Sequence, residues 1–160
     1  MIDRNLKKIA KFLIDNKLTV ATAESCTGGL LSSRFTDISG SSGFVKQNFV
    51  TYANEAKTQI LGVSQEILEK YGAVSEECAY AMVKGLHGKT GCDLGICTTG
   101  IAGPTGGTKE KPVGLVYVSV YFQDNIHVKK FNFPTFIPRK LMKFLFTQAA
   151  IEFTREIMSL

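Results

Sequence analysis

Two side chains capable of nucleophilic attack stand side by side in this chain. Ser25 and Cys26 lie in the run Ala-Glu-Ser-Cys-Thr-Gly-Gly (23–29). A strand-like stretch with Leu18, Val20 and Ala21 leads into it, and a helix-like one with Leu30, Leu31 and Phe35 leads out. At such a turn the free N–H groups of the helix start point toward the turn residues, and the helix dipole favours negative charge there. Thr27, Gly28 and Gly29 could therefore cradle a phosphate, or the same N–H groups could stabilise the oxyanion of an acyl transfer.

In an open α/β sheet, ligands sit at the carboxyl ends of the strands. The first predicted strand ends at Ser25. The second ends at Thr51-Tyr52, with Lys57 one turn into the next helix. The third ends at Thr98-Thr99-Gly100, followed by Gly103-Pro-Thr-Gly-Gly107. As parallel neighbours, these strands would bring Ser25, Tyr52, Lys57 and Thr99 to one crevice.

That set makes chemical sense without a histidine. His87 falls on a helix-like stretch and His127 on a strand-like one, so no Ser-His-Asp triad is expected. A serine can instead be activated by a neutral lysine, because partial burial disfavours the ammonium and can bring its pKa to roughly 7–8. Lys57 would take the proton from Ser25 and later hand it to a leaving amine. Tyr52 would relay that proton or hold the lysine in place. Backbone N–H groups at Gly28-Gly29 or near Thr99-Gly100 would stabilise the oxyanion. The bland alternative makes Ser25 and Thr27 helix caps and Lys57 a solvated helix residue. Cys26 is the rival nucleophile, since a helix N-terminus can lower a thiol pKa. A cysteine in this position is more often buried under the helix, and only one of the two neighbours can face the crevice.

Other candidates are weaker in kind. The loop Gly103–Gly107, with Lys109 and Lys111, could hold a phosphate in its backbone N–H groups, and Arg139 could pair with phosphate bidentately. Gly88-Lys89-Thr90 imitates the end of a P-loop, but the motif needs Gly at position 83, which is Val, and a preceding strand.

The elements that must carry these residues are legible as a pattern. The chain has 160 residues, 44% hydrophobic and 21% charged, which suits one soluble globular domain over 1–160. Lys and Arg number 19 against 14 Asp and Glu, a formal charge of +5. The excess is modest and suits an anionic small ligand as well as nucleic acid, but the basic residues are scattered and form no RNA-binding signature with interleaved aromatics, so nucleic acid is not expected. Cys26, Cys78, Cys92 and Cys97 form no C-x-x-C pair, so neither a zinc site nor a redox motif is expected. Reduced thiols imply a reducing compartment. No apolar h-region or membrane-length apolar run occurs, so a cytoplasmic protein is expected.

Helical spacing of Leu6, Ile9, Ala10 and Leu13 predicts a helix over 3–16. A buried strand follows over 18–23, then a helix from Gly28-Gly29 to about Asp37, a loop at 40–43 and a strand from Phe44 to Tyr52. Asn54 reads as the N-cap of the helix holding Lys57. Ser64 and Ser75 cap helices at 64–71 and 75–89. A second buried strand spans 93–98, a loop 100–111, and strands 113–122 and 126–133 form a hairpin around Gln123-Asp-Asn125. The last helix runs from about Pro138 to Met158. This order predicts an α/β fold, a sheet with helices on both faces.

Five motifs in this order resemble the CinA C-terminal domain family, the nicotinamide-nucleotide amidohydrolases. They are Ala-Glu-Ser-Cys-Thr-Gly-Gly (23–29), Val-Thr-Tyr-Ala-Asn-Glu-Ala-Lys (50–57), Gly-Ala-Val-Ser (72–75), Thr-Gly-Ile-Ala-Gly-Pro (99–104) and Lys-Pro-Val-Gly (111–114). The resemblance implies a three-layer α/β/α domain with a mixed, mostly parallel sheet. It implies hydrolysis of the carboxamide of nicotinamide mononucleotide to nicotinate mononucleotide and ammonia, in pyridine-nucleotide salvage, with no metal and no organic cofactor. By motif, the nucleophile falls on Ser25, the general base on Lys57, the assisting tyrosine on Tyr52 and a polar partner on Thr99. Substrate and phosphate contacts fall on Thr27, Gly28, Gly29, Gly100, Gly103 and Arg139.

Two departures stand out. Thr105 replaces an Asp that often follows Gly-Pro, and Ile137-Pro138-Arg139 replaces a usual Gly-Asp-Arg. Many relatives carry an N-terminal domain resembling molybdopterin-binding proteins, with pyrophosphatase activity; the residues here match the C-terminal domain alone, a stand-alone form. A non-catalytic nucleotide-binding or regulatory module using the same pocket is the competing expectation, and a DNA-associated partner a third. Phe122, Phe131, Phe133 and Phe136 near the hairpin suggest an exposed patch and a dimer through that edge.

Overall fold

Val20–Glu24 (β1) and Leu94–Gly100 (β3) read as unbroken apolar or small-residue runs, and both strands are buried almost throughout. That pattern belongs to central strands covered on both faces. The computed structural model describes residues 2–160. Its elements are α1 (Arg4–Asn16), β1, α2 (Leu30–Thr36), a short 3-10 turn (Ser41–Gly43), β2 (Val45–Val50), α3 (Asn54–Leu61), α4 (Gln65–Tyr71), α5 (Glu76–Thr90), β3, β4 (Leu115–Phe122), β5 (Asn125–Asn132) and α6 (Arg139–Ile157).

The sheet order is β2-β1-β3-β4-β5. β1 runs parallel to β2 and β3, β4 antiparallel to β3, and β5 antiparallel to β4. The sheet is thus mixed, with β4 alone pointing against the rest. Side chains alternate between its faces. Val20 joins Leu6, Ile9, Phe35 and Phe146 in a core under α1, α2 and α6. Ala21 and Ala23 join Met82, Val83, Leu86 and Cys97 under α3, α4 and α5. The result is the expected three-layer α/β/α arrangement.

Local chemistry explains the helix limits. The Asp3 carboxylate accepts from the N–H groups of Asn5 and Leu6 (2.8 and 2.9 Å) and starts α1. Ser75 accepts from Cys78 N–H (3.1 Å) and starts α5. Each such cap contributes about 1 kcal/mol.

Several local expectations need correction. Residues 41–43 form a 3-10 turn rather than open loop. Ala53, not Asn54, occupies the N-cap position of α3, with no side-chain cap. The phenylalanine patch does not exist as a surface. Phe122 is buried, Phe131 and Phe133 lie partly buried against the core under α6, and their rings meet Phe153 and Phe146. Phe136 alone of the four stands out, at 85% exposure. Three of the four phenylalanines therefore pack inward rather than form an exposed patch. Among the described residues, no helix is long and apolar enough to cross a membrane.

Candidate active site

The parallel register sets the carboxyl ends of β1, β2 and β3 level: Glu24 pairs with Val50 on one side and Thr98 on the other. The next residue of each strand therefore opens on one place. Ser25 is anchored there by its N–H, which donates to the Thr98 carbonyl (3.1 Å). Thr51 is anchored by its N–H to the Glu24 carbonyl (2.8 Å).

Glu24 decides what the following turn can do. Its side chain is fully buried. One carboxylate oxygen accepts from Leu31 N–H (2.8 Å) and Thr27 Oγ1 (2.6 Å), the other from Ser32 N–H (3.0 Å). The positive end of α2 is thus filled by the chain's own anion. This takes two of the helix-start N–H groups, those of Leu31 and Ser32, that were expected to face a phosphate or an oxyanion. Thr27 is buried, and with its proton on Glu24 it accepts from the Thr98 hydroxyl (2.8 Å). Gly28 spends its N–H on the Ser25 carbonyl (3.1 Å). Gly28 and Gly29 adopt left-handed backbone (φ 61° and 99°) to turn the chain into α2, and neither they nor Thr27 line the crevice. All three shape the turn instead of contacting a ligand.

Cys26 is removed as a nucleophile by the same packing. It is 5% exposed, and burial pushes its thiol up to about 12, so the thiolate is not formed near neutrality.

Lys57 reaches the serine. Its Nζ lies 3.1 Å from Ser25 Oγ, 2.9 Å from the Thr51 carbonyl and 3.0 Å from the Tyr52 carbonyl. The residue is 1% exposed. Burial holds the amine below the ordinary lysine range; the thiols of Cys78 and Cys26 and the Glu55 carboxylate pull weakly the other way. Among the described residues no carboxylate forms an ion pair with it. All three polar partners of Nζ are oxygens. The two carbonyls only accept, so in either protonation state each takes an N–H; the third contact, to Ser25 Oγ, is an N–H of the ammonium, or the lone pair of the neutral amine that burial favours.

Tyr52 serves through two different groups. Its carbonyl holds Lys57, while its exposed hydroxyl accepts from Arg139 Nη2 (3.0 Å). Arg139 Nη1 donates to the Gly103 carbonyl (2.6 Å), so the start of α6, the β2–α3 turn and the β3–β4 loop meet at one guanidinium. Thr99 lines the crevice, with its hydroxyl on the Ala73 carbonyl (2.7 Å). Gly100 and Gly103 also line it. A side chain at Gly100 would strike the Leu115 carbonyl (2.6 Å), and one at Gly103 would strike Val113 (2.4 Å). Lys109 and Lys111 lie outside the lining. The crevice holds about 270 Å³, and among the described residues its lining carries two basic side chains, Lys57 and Arg139, and no carboxylate.

Sequence reasoning missed Glu24, Asn54 and the wall made by Ala73 and Val74. Glu24 had a signal: a carboxylate closing an apolar strand is rarely buried without a dedicated set of donors.

Comparison with known proteins identifies the family. The CinA C-terminal domain family matches residues 3–158. A Clostridium tetani protein named for competence-damage induction is 54% identical over 126 residues, 79% of this chain and 31% of its own length. The chain thus spans under a third of the curated relatives it matches. Among solved structures, a CinA superfamily protein of Escherichia coli superposes with a TM-score of 0.91 at 31% identity, over 100% of this chain and 91% of that one. A competence/damage inducible protein of Agrobacterium tumefaciens gives 0.87 at 37% identity, over 96% and 95%. Sequence motifs, sheet order and superposition converge on one conclusion: this chain belongs to the CinA C-terminal domain family.

Proposed function

We propose that the crevice hydrolyses the carboxamide of nicotinamide mononucleotide, releasing nicotinate mononucleotide and ammonia by Ser-Lys catalysis. The observation that carries this reading is the contact between Lys57 Nζ and Ser25 Oγ, with the amine buried and free of any carboxylate. Neutral Lys57 takes the Ser25 proton as Oγ attacks the amide carbon. The tetrahedral intermediate collapses when the same lysine returns the proton to the departing nitrogen. Ammonia leaves, an acyl-serine remains, and a water activated by Lys57 hydrolyses it. Positive charge from Arg139 and the lack of lining carboxylates suit an anionic phosphate on the substrate.

The test is ammonia release from nicotinamide mononucleotide and from free nicotinamide. Wild type is expected to prefer the phosphorylated amide. Ser25→Ala and Lys57→Met should each cut kcat by roughly 10³-fold or more while melting unchanged within a few degrees. Full activity in Ser25→Ala would end the mechanism. Tight binding of the mononucleotide with no turnover would instead favour a binding module.

A further inference from the structure

Two of the five sequence motifs, Gly-Ala-Val-Ser (72–75) and Lys-Pro-Val-Gly (111–114), have no part in the chemistry above, yet they meet in space. The ammonium of Lys111 donates to the carbonyl of Tyr71, the last residue of α4. That carbonyl lies at the negative end of the helix, where a cation is favoured. Gly72 makes room for the contact: a side chain there would stand 2.9 Å from Lys111 Nζ. Its backbone (φ 80°, ψ 167°) is one that only glycine adopts readily.

Both partners are held from behind. Lys111 closes a tight turn with Thr108, accepting from its N–H (2.8 Å) and donating its own N–H to the Thr108 hydroxyl (3.0 Å). Val113, two residues on, is the plug on which the loop folds, since side chains at Gly103 or Gly107 would strike it (2.4 and 2.7 Å). On the other side, Ser75 donates to the Gly72 carbonyl (2.8 Å) and Thr99 to the Ala73 carbonyl (2.7 Å). The two segments so joined are the walls of the crevice: Ala73 and Val74 on one, the β3–β4 loop from Ile101 to Gly106 on the other.

We infer that Lys111 is a positioning residue for the crevice: its ammonium, seated on the Tyr71 carbonyl, ties the β3–β4 loop to the α4–α5 connection and sets the gap between the two walls. Arg139 fixes the near end of the same loop at Gly103, and Lys111 fixes the far end. The substrate side of this inference rests on the amidase reading; the mechanical side does not.

The test uses Lys111→Met in the full chain, with Lys111→Arg beside it. In Lys111→Met, KM for nicotinamide mononucleotide should rise about tenfold while kcat changes less than about threefold, because substrate positioning and not the base is affected. Amide hydrogen exchange over residues 101–110 of the ligand-free protein should accelerate about tenfold, with β1 and β3 unchanged. Lys111→Arg, which keeps the cation, should recover most of both effects. An unchanged KM overturns the substrate role, as does a loss of kcat at constant KM. Unchanged loop exchange overturns the strap itself. If wild type releases no ammonia, the amidase reading falls and the exchange result alone decides the strap.

Discussion

Lys57 and Lys111 both place an ammonium-bearing side chain on backbone carbonyls beside the same crevice, and their surroundings give them opposite work. Lys57 is sealed in, with two carbonyls and one hydroxyl around its nitrogen. Burial disfavours its charge, and the hydroxyl is the one partner able to give a proton. Lys111 is half-buried, with a single carbonyl at a helix C-terminus as its partner, and that carbonyl has no proton to give. On the readings proposed above, solvent access and the kind of partner, rather than residue type, would separate a base from a clamp.

Arginine substitution should split the pair most sharply. Lys57→Arg is expected to lose roughly 10³-fold in kcat, since a guanidinium stays charged and cannot accept the serine proton. Lys111→Arg is expected to stay within about threefold of wild type. Ammonia-release kinetics on the two variants would dissolve the contrast if position 57 tolerated arginine.

The pH profile sharpens it further. Only neutral Lys57 can take the proton, so kcat/KM should rise with pH through the lysine's pKa. Burial lowers that pKa, so the limb should fall at lower pH than an ordinary lysine would give. Lys111→Met should shift the height of the profile and leave the limb in place. Movement of the limb in that variant would mean that the two lysines are coupled.

The smallest effect is expected next to the nucleophile. Cys26→Ala should leave kcat within about threefold, because a thiol held near 12 supplies no thiolate. The truncation should cost on the order of 1 kcal/mol of stability through lost packing, read from urea denaturation. A large kinetic loss without a stability loss would restore the thiol as a candidate.

Much of this architecture was legible in the residues. The buried runs around Val20–Glu24 and Leu94–Gly100 marked the central strands, and Ser25, Lys57 and Thr99 followed because parallel strands align their ends. What failed was direction. The turn after β1 has the composition of an anion cradle, but which way its N–H groups face depends on where Glu24 sends its carboxylate, a tertiary fact. The hairpin phenylalanines looked exposed because alternation does not reveal that α6 lies over β4 and β5. The role of Arg139 as a tie between Tyr52 and Gly103 joins residues 36 and 87 positions away along the chain, beyond any local pattern.

The carboxylate under α2 has one more effect. Because the chain's own carboxylate already holds the first turn of that helix, the turn that carries Ser25 is ordered from within. The Leu31 and Ser32 N–H groups are thereby closed to any anion from the medium, and the order of this turn does not wait on a ligand.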